Sequence, residues 1–522
     1  MIDNFSKFDE IRNAIGFILA PITFFTFLLI PTPQTYIEYV SNNYANLDFN
    51  QIQQIAFGMK IVTALLFTMV ILWITEAIPI PVTALLPAVI LPLFNVKGII
   101  NNEIIEFNGK NVLANYANPI IFLFLSGFLI ARSMQKWNLD RRLTYSILSF
   151  KNLADNPSLI ILALLLISAF ISMWISNTAT TAMLLPLVIG IVNITKNSDT
   201  KNFSKALALS IAYGSSIGGV ATLIGTPPNG ICVSILRTSG NYDINFLEWL
   251  KIGLPITFLL IPVTWFILLK IFPIEIKNIP GGKDYIKNLK KEMGPISKGE
   301  KFTLIGFVLL LILWISNPFW NIILPDQIYT QIKNFDESLI ALSIAILLFT
   351  IPVDWKSKKF VLDWKDSKFV DWGTLFLFGG GIALSDAMFR TGLAGWIATT
   401  VLKIAGQPHP IVIVLVVVIF MDLLTEVTSN TAVTSMMVPI LLSISIALGI
   451  DGKFLAISAT LAASMAFMLP VATPPNAIVY GSGFIKITDM VRAGFILDIV
   501  AWIIITISLY LFSYLVFGIV KF

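Results

Sequence analysis

Apolar runs of about 18 or more residues recur along this 522-residue chain, and they constrain its fold more than any other feature. A run of that length spans the hydrocarbon core of a bilayer as a helix, whereas membrane strands are shorter and alternate in polarity. With 56% hydrophobic residues, 12% charged residues and a mean hydropathy of +0.84, the sequence lies far outside the usage of soluble domains. We therefore predict an all-α polytopic membrane protein with no sizeable soluble domain.

Two polar phrases interrupt these runs, and each occurs twice. Ser176-Asn177-Thr178 recurs as Ser429-Asn430-Thr431, and Thr226-Pro227-Pro228-Asn229 recurs as Thr473-Pro474-Pro475-Asn476. Proline lacks the N–H group and clashes with the preceding turn, so paired prolines interrupt a helix. Broken helices at membrane depth are tolerated only where protein encloses them or they line a cavity. Matched interruptions in two halves of a chain therefore indicate the binding site of a transporter.

The spacing of the phrases indicates an internal repeat. Asn177 and Asn430 lie 253 residues apart, while the Thr-Pro-Pro-Asn phrases lie 247 residues apart, so both phrases keep nearly the same spacing in the two halves. Upstream of them, Phe122-Leu123-Phe124 matches Phe376-Leu377-Phe378 at a shift of 254. Self-similarity of this kind is the sequence signature of a duplicated structural unit.

Basic residues in the loops set the orientation of the chain across the membrane. The first apolar run, from Ala14 to Ile30, is too long for the core of a signal peptide and has no small-residue cleavage pattern, so we expect a retained helix. Lys7 and Arg12 precede it, whereas residues 32–54 contain no Lys or Arg, which places the N-terminus in the cytoplasm. The other basic residues that we assign to the cytoplasmic side are Lys136, Arg141, Arg142, Lys151, Lys196, Lys201, Lys205, the lysines of 277–301, Lys356, Lys358, Lys359, Lys365 and Lys368.

Eleven transmembrane helices and two re-entrant hairpins satisfy this charge pattern, and one of the crossings is expected near 80–95. Residues 157–195 leave and return to the cytoplasmic side. Two ordinary crossings there would place Ser-Asn-Thr in an outer loop of almost no length, so we favour a hairpin. The equivalent hairpin, 409–447, enters from outside because the opening helices of the two repeats run in opposite directions, which makes the repeats inverted. The predicted divisions are an N-terminal helix and outer loop (1–54), a first repeat (55–276), a cytoplasmic linker (277–301) and a second repeat (302–522) that ends outside the cell.

Few side chains can neutralise a charge inside the predicted spans. No Lys or Arg falls in the central part of any span, since Lys60 and Arg132 lie near span ends. Hairpin tips and helix breaks offer hydroxyls, amides, N–H groups that hold anions and carbonyls that hold Na⁺. An anionic ligand would carry an uncompensated charge at this depth, which is costly. If the ligand is a dianion, bound cations solve that problem, and this motivates coupling to Na⁺.

The two phrases in their longer context carry a family resemblance that covers essentially the whole chain. They resemble the motifs of the divalent anion/sodium symporter family, the bacterial relatives of dicarboxylate and citrate cotransporters. Paired Ser-Asn-Thr with paired Thr-Pro-Pro-Asn is highly specific for that family. The matching segments are Trp174-Ile175-Ser176-Asn177-Thr178-Ala179-Thr180, Gly225-Thr226-Pro227-Pro228-Asn229, Glu426-Val427-Thr428-Ser429-Asn430-Thr431-Ala432 and Ala472-Thr473-Pro474-Pro475-Asn476.

The resemblance implies sodium-coupled uptake of four-carbon dicarboxylates such as succinate, malate and fumarate across the bacterial inner membrane. It implies a homodimer in which a transport domain slides past a scaffold as an elevator. An exchanger of dicarboxylate for 2-oxoglutarate stays an alternative, because the family also contains exchangers. The residues implied are Ser172, Ser176, Asn177 and the Gly225 carbonyl for a first sodium site, Thr425, Thr428, Asn430 and the Ala472 carbonyl for a second, and Asn177, Thr178, Thr226, Asn430, Thr431 and Thr473 for the substrate.

Other interpretations of the same residues stay open at this point. Ser, Thr and Asn in membrane helices often only hydrogen-bond a neighbouring helix, although the duplicated and co-spaced set argues against that explanation. Gly214-Ser215-Ser216-Ile217-Gly218 matches the serine-hydrolase elbow, with His409 as a conceivable base, which suggests an intramembrane hydrolase. A passive channel is a third class, although channels do not require paired hairpins.

The remaining titratable residues give weaker indications. Asp422 and Glu426 are intramembrane carboxylates, for which a function is the default expectation, yet a hydrogen-bonded structural role is at least as well supported for Glu426. Glu76 and Asp386 are expected at the membrane interface. One cysteine and one histidine exclude a disulfide framework, a multi-cysteine metal site and a histidine cluster. The net charge of +5 comes from loop lysines, and we expect no nucleic-acid partner.

Overall fold

The fold was determined as a computed structural model, which describes residues 2–44, 47–101, 103–150, 153–195, 200–406 and 409–517. Lys151 and Lys196, assigned above to the cytoplasmic side, lie outside these residues, and so does the predicted outer C-terminal end. The side chain of Lys7 is likewise outside the described part. Helices make up 77% of the structure, which confirms the all-α prediction.

The N-terminal region contains three long helices with short elements between them. The helix expected near 80–95 is interrupted, because Pro81 and Pro87 each lie in the first turn of a short helix, where proline starts a new helix. An antiparallel pair of strands that the sequence analysis did not predict follows. The elements are α1 (Ile2–Leu29), α2 (Gln34–Asn43), α3 (Phe49–Thr75), α4 (Ile80–Thr83), α5 (Leu86–Leu93), β1 (Lys97–Ile100), β2 (Glu103–Glu106), α6 (Gly109–Ala114), a 3₁₀ turn (Asn115–Ala117), α7 (Pro119–Lys136) and α8 (Leu139–Leu148).

The first helical hairpin and the first broken helix come next. The hairpin turns at 173–176, and the helix breaks at 220–226, immediately before the two prolines of the first Thr-Pro-Pro-Asn phrase. These prolines occupy the first turn of the helix after the break, as expected for residues that cannot continue a helix. The elements are a 3₁₀ turn (Leu153–Asp155), α9 (Pro157–Ser172), α10 (Asn177–Ile194), α11 (Lys201–Gly219), α12 (Pro227–Gly240), α13 (Phe246–Ile271) and α14 (Gly282–Glu292).

The second half of the chain repeats this order. Its hairpin turns at 426–429, and its broken helix is interrupted at 463–473, again just before two prolines. The elements are α15 (Lys298–Ser316), a 3₁₀ turn (Asn317–Phe319), α16 (Trp320–Ile323), α17 (Asp326–Ile332), α18 (Glu337–Thr350), β3 (Pro352–Asp354), β4 (Lys359–Phe360), a 3₁₀ helix (Trp364–Phe369), α19 (Trp372–Arg390), α20 (Leu393–Ala405), α21 (Pro410–Thr425), α22 (Asn430–Leu448), α23 (Gly452–Ala462), α24 (Pro474–Gly481) and α25 (Ile487–Phe517).

Connections that carry the loop lysines meet on one face of the protein, which we call the lysine-rich face. Lys136 donates to Asp366 at 2.7 Å, and Arg142 donates to a carboxylate in the first turn of α15 at 2.5 Å. Lys205 pairs with Asp489 at 2.9 Å, which adds the starts of α11 and α25. Segments far apart in sequence and assigned to one side by their charge are therefore neighbours in space.

The two hairpins enter the protein from opposite faces. The arms of the first begin and end at the lysine-rich face, where Gly190 of α10 lies against Tyr285 of α14. The second ends at the opposite face, where the N–H of Gly452 donates to the hydroxyl of Tyr242 at 3.2 Å, beyond the end of α12. This geometry is the one expected of inverted repeats. The residue boundaries of those repeats stay a prediction.

Within the described residues, nine helices are long and apolar enough to cross a membrane. Two of them, α10 and α22, are hairpin arms, and several expected crossings are instead short or broken helices, such as α18 and α23 with α24. The count of eleven crossings therefore stays a prediction. Large apolar side chains are exposed on several helices, among them Phe17 at 66%, Leu29 at 85% and Phe258 at 60%, as expected where lipid covers the surface.

Phe124 and Phe378, which occupy equivalent positions in the two repeats, pack against each other with ring centroids 4.6 Å apart. Both rings are fully buried. Residues related by a two-fold axis touch each other only near that axis, so α7 and α19 meet at the centre of the repeat. The first broken helix also packs against this contact, since Gly230 of α12 lies against Phe124.

The two basic residues expected near span ends differ in their placement. Lys60 lies well inside α3, which begins at Phe49, and it is buried, so this expectation is wrong for Lys60. Its ammonium group donates to two carbonyls at the end of α1 at 3.1 and 2.8 Å, and these free carbonyls compensate its burial. Arg132 does lie in the last turns of α7, where it donates to Asp366 at 3.2 Å.

Candidate functional site

Both hairpin tips and both helix breaks line a single cavity of about 760 Å³. All but two of the predicted site residues lie on its wall, and the other two, Ser172 and Thr425, are buried directly behind the tips. The sequence thus predicted correctly which segments meet. The predicted residues that line the cavity are Ser176, Asn177, Thr178, Gly225, Thr226, Thr428, Asn430, Thr431, Ala472 and Thr473.

The two hairpin tips have the same internal geometry. In the first, the Ser172 hydroxyl donates to Asn177 Oδ1 at 2.6 Å, and in the second, the Thr425 hydroxyl donates to Asn430 Oδ1, also at 2.6 Å. Each tip therefore holds an amide oxygen and a hydroxyl oxygen side by side beneath the cavity floor. Neutral oxygen atoms clustered in this way are the ligands that hard cations prefer.

A pair of asparagines that the sequence analysis left without a role holds the two breaks in shape. The amide of Asn229 donates to the carbonyls of Gly219 and Thr222 at 3.1 and 2.7 Å. The amide of Asn476 makes the equivalent bonds to the carbonyls of Ala466 and Leu469, at 3.1 and 3.0 Å. Both asparagines are fully buried, so each supplies the donors that the interrupted helix has lost. Their place in the duplicated Thr-Pro-Pro-Asn phrase was the signal that could have identified them.

Each break is also packed tightly against the tip of its hairpin. A Cβ atom on Gly219 would lie 2.5 Å from Asn177 Oδ1, so only glycine allows this approach. In the second unit, the Thr425 hydroxyl also donates to the carbonyl of Ala463 at 2.9 Å. The tips and breaks therefore form continuous walls in which hydroxyl, amide and carbonyl oxygens face the same space.

One predicted sodium ligand has an unsatisfied hydroxyl. Thr428 is buried, and its Oγ1 has no hydrogen-bond partner among the described residues. A buried hydroxyl without a partner is costly, which makes this atom a fitting ligand for a bound cation. The predicted ligand Ser176 of the first hairpin, which is equivalent to Ser429, instead accepts the N–H of Ala179 at 3.3 Å as the N-cap of α10.

The mouth of the cavity opens on the lysine-rich face and is mainly acidic. Arg12, Glu76, Asp371 and Thr374 line it, and Pro81 beside them lies against the start of α19. One expectation was wrong here, because Arg12 does not precede the first helix but lies within α1. Glu76 follows the last residue of α3, near a span end as expected, and both residues contribute to the cavity wall. The described lining carries one positive and two negative side chains, so it offers a dianion no net positive charge.

Three carboxylates elsewhere in the spans have structural partners, whereas Asp498 of α25 is fully buried and has no hydrogen-bond partner among the described residues. Glu426 accepts the backbone N–H groups of Met468 and Leu469 at 2.8 and 2.9 Å, which is the hydrogen-bonded role considered for it. Asp422 accepts the indole N–H of Trp502 at 2.8 Å. Asp386 was expected at the interface, but it is buried in α19 and paired with an arginine one turn later.

The serine-hydrolase interpretation is wrong. Ser216 lies inside the continuous helix α11 and not on a strand–turn–helix elbow, so its hydroxyl is not presented on a strained turn. His409 is the N-cap of α21 and accepts the N–H of Ile411 at 3.4 Å through Nδ1. Relatives of the chain, reported next, are named as transporters and not as hydrolases.

Relatives of known name match almost the whole chain. It is 37% identical to the sodium-dependent dicarboxylate transporter SdcS of Staphylococcus saprophyticus over 97% of this chain and 92% of that protein. It is 36% identical to the protein of the same name from Staphylococcus aureus, with the same coverage. The sequence pattern of the family described as "Sodium:sulfate symporter transmembrane region" matches residues 54–519.

Two solved structures share the fold. The YdaH transporter of Alcanivorax borkumensis aligns with a TM-score of 0.54 at 12% identity, covering 87% of this chain and 98% of that one. MtrF of Neisseria gonorrhoeae aligns with a TM-score of 0.54 at 11% identity, covering 91% and 97%. Matching motifs, near-complete coverage by named relatives and a multi-pass transporter fold lead to one conclusion: the chain belongs to the sodium:sulfate symporter family of membrane transporters.

Proposed function

We propose that this protein is a secondary active transporter that couples the uptake of four-carbon dicarboxylates, such as succinate, malate and fumarate, to Na⁺. One observation carries the proposal. The helices α10, α12, α22 and α24 all begin at the wall of the same cavity. The N-terminus of a helix has free N–H groups and a partial positive charge, so it binds carboxylates without a basic side chain.

The substrate contacts are assigned to the first residues of these helices. Asn177, Thr178, Asn430 and Thr431 lie at the hairpin tips, with Thr226 and Thr473 before the prolines of α12 and α24, and all of them line the cavity. Hydroxyl and amide groups at opposite walls suit a ligand with a carboxylate at each end. The names of the relatives support a dicarboxylate as the substrate, and the four-carbon chain length is proposed from the family resemblance.

Na⁺ supplies the positive charge that the cavity lacks. A first ion is assigned to Ser172, Ser176, Asn177 and the Gly225 carbonyl, and a second to Thr425, Thr428, Asn430 and the Ala472 carbonyl. The paired oxygens at 2.6 Å in each tip and the unsatisfied Thr428 hydroxyl support these assignments. Because each asparagine belongs to both a sodium site and the substrate site, loss of Na⁺ weakens binding of the dianion, which is the basis of the coupling.

Further parts of the proposal concern the membrane and the assembly. The lysine-rich face is assigned to the cytoplasm of a bacterial inner membrane, with the N-terminus inside and the C-terminus outside, following the positive-inside rule. The cavity then opens inward in this structure. Movement of the hairpins and broken helices as an elevator within a homodimer is proposed from the family resemblance.

Uptake into proteoliposomes tests the coupling. With an inward Na⁺ gradient we expect accumulation of radiolabelled succinate, and replacement of Na⁺ by choline should abolish it. Equal uptake in choline would refute coupling, and flux that only follows the succinate gradient would indicate a channel. Counterflow with and without internal dicarboxylate separates a symporter from an exchanger, because only the exchanger requires the internal substrate.

A further inference from the structure

An ion pair lies on the cavity wall that faces the hairpin tips. Arg12 of α1 contacts Glu76 at the end of α3, with Nη2 and Oε2 3.3 Å apart. Asp371, the N-cap of α19, lines the same mouth. Arg12 is the one cationic side chain among the described residues that line this cavity. A dianion that passes the mouth therefore meets two carboxylates and a single guanidinium group.

The position of this pair is fixed by the backbone. Gly16 brings α1 so close to α3 that a Cβ atom there would lie 1.9 Å from the Thr75 hydroxyl oxygen. Glu76 follows directly and has a left-handed conformation with φ of 51°, which non-glycine residues rarely adopt. Strained residues of this kind persist where the surrounding structure enforces them, and they concentrate at functional sites.

The contact between the two side chains is weak enough to be exchanged. Its single N···O distance of 3.3 Å is longer than the roughly 2.7–2.9 Å of a strong charge-assisted bond, and the Glu76 side chain is 46% exposed. Ion pairs with an exposed partner contribute little stability. A guanidinium group binds a free carboxylate through two parallel N–H groups, which is a better contact than the one Glu76 makes here.

We propose that Arg12 forms a release subsite for the substrate, in which one carboxylate of the dicarboxylate replaces Glu76 on the guanidinium group. The inference rests on the proposed function. It explains how a dianion that has lost its Na⁺ ions crosses a mouth lined by Glu76 and Asp371. Since the wall that carries Arg12 is formed by α1 and α3, and the tips belong to the hairpins, the subsite is available only when the tips face this wall. Arg12 is thus a binding residue for the cytoplasmic side alone.

Transport of radiolabelled succinate by membrane vesicles of both orientations tests the proposal. Inside-out vesicles report the half-saturating succinate concentration on the cytoplasmic side, and right-side-out vesicles report it on the outer side. For Arg12→Gln we expect the cytoplasmic value to rise about ten-fold, as for loss of a hydrogen-bonded charge, while the outer value stays unchanged. Arg12→Lys should rescue part of the effect, and Glu76→Gln should lower the cytoplasmic value because it removes the competing carboxylate.

Arg492→Gln is the matched control, because this exposed arginine of α25 lies outside the cavity lining, and it should leave both values unchanged. A wild-type cytoplasmic value in Arg12→Gln overturns the proposal, and so does an equal change on both sides, which indicates a purely structural pair. If Arg12→Gln fails to insert, Glu76→Gln decides, since an unchanged cytoplasmic value also overturns it. Succinate transport by the wild type that does not depend on Na⁺ would instead contradict the proposed function.

Discussion

The two hairpin–break units make the same contact with different chemistry. In the first, the Thr222 hydroxyl donates to the carbonyl of Met173 at 2.5 Å. In the second, the carboxylate of Glu426 accepts the N–H groups of Met468 and Leu469 at 2.8 and 2.9 Å. The positions correspond, because Met173 and Glu426 are related by the shift of the hairpins, and Thr222 and Leu469 by the shift of the breaks. Both units thus join the hairpin to the break at equivalent positions, but they use different groups, and only the second contact contains a carboxylate.

This difference predicts that the two proposed sodium sites are unequal. Both oxygens of Glu426 accept N–H groups, which is the pattern of an ionised carboxylate, and the residue directly follows the proposed ligand Thr425. A fixed negative charge beside a cation site in a low-dielectric interior strengthens cation binding more than neutral dipoles do. We therefore expect the second site to bind Na⁺ more tightly than the first, which has only hydroxyl, amide and carbonyl oxygens around it.

The largest effect is expected where the two units are alike. Asn177→Ala and Asn430→Ala each remove an oxygen shared by a proposed sodium site and the proposed substrate site, so we expect both to reduce Na⁺-driven succinate uptake by at least about 100-fold. Proteoliposome uptake gives the rate, and size-exclusion chromatography shows that the variants still insert and assemble. Wild-type uptake by either variant would remove that residue from the site and break the equivalence of the two tips.

Much of this site could be predicted from sequence because it depends on local motifs that occur twice. Proline pairs fix where a helix breaks, and equal spacing in two halves indicates that the breaks and tips converge. The roles of Asn229 and Asn476 were missed, since an amide that caps main-chain carbonyls has no distinctive neighbours in sequence. Their repetition was visible, but nothing in the phrase distinguishes a clamp from a ligand.

Other features depend on packing between distant segments and could not be predicted. Arg12 was interpreted as a topology signal, and only the close approach at Gly16 brings it to the cavity. The interruption near 84–85 and the strands after it were missed because an apolar run does not show where a helix ends. The grouping of the lysine-bearing loops on one face was easier to predict, since like-charged loops gather on one face irrespective of packing details.

A smaller effect is expected where the units differ in charge. Glu426→Gln keeps the size of the side chain and one acceptor oxygen but removes the charge, so we expect the half-saturating Na⁺ concentration for uptake to rise about ten-fold. Thr222→Val removes the neutral counterpart and should lower stability by about 1 kcal/mol while leaving the Na⁺ requirement nearly unchanged. Equal effects of the two variants on the Na⁺ dependence would mean that Glu426 only holds the break in place.

The smallest effect distinguishes a ligand from a helix cap. Thr428 has no hydrogen-bond partner for its hydroxyl, so Thr428→Val should leave the thermal stability of the Na⁺-free protein unchanged or slightly raised, because a buried unsatisfied group is lost. Ser176→Ala removes the N-cap of α10 and should destabilise the protein by about 1 kcal/mol without Na⁺. Thermal unfolding in detergent with choline measures the stability of the Na⁺-free protein, and the same experiment with Na⁺ measures the stabilisation by the ion. The rise in Tm caused by Na⁺ should be smaller in both variants than in the wild type. If Na⁺ stabilises Thr428→Val as much as the wild type, the second site does not use this hydroxyl, and the asymmetry between the units lies in Glu426 alone.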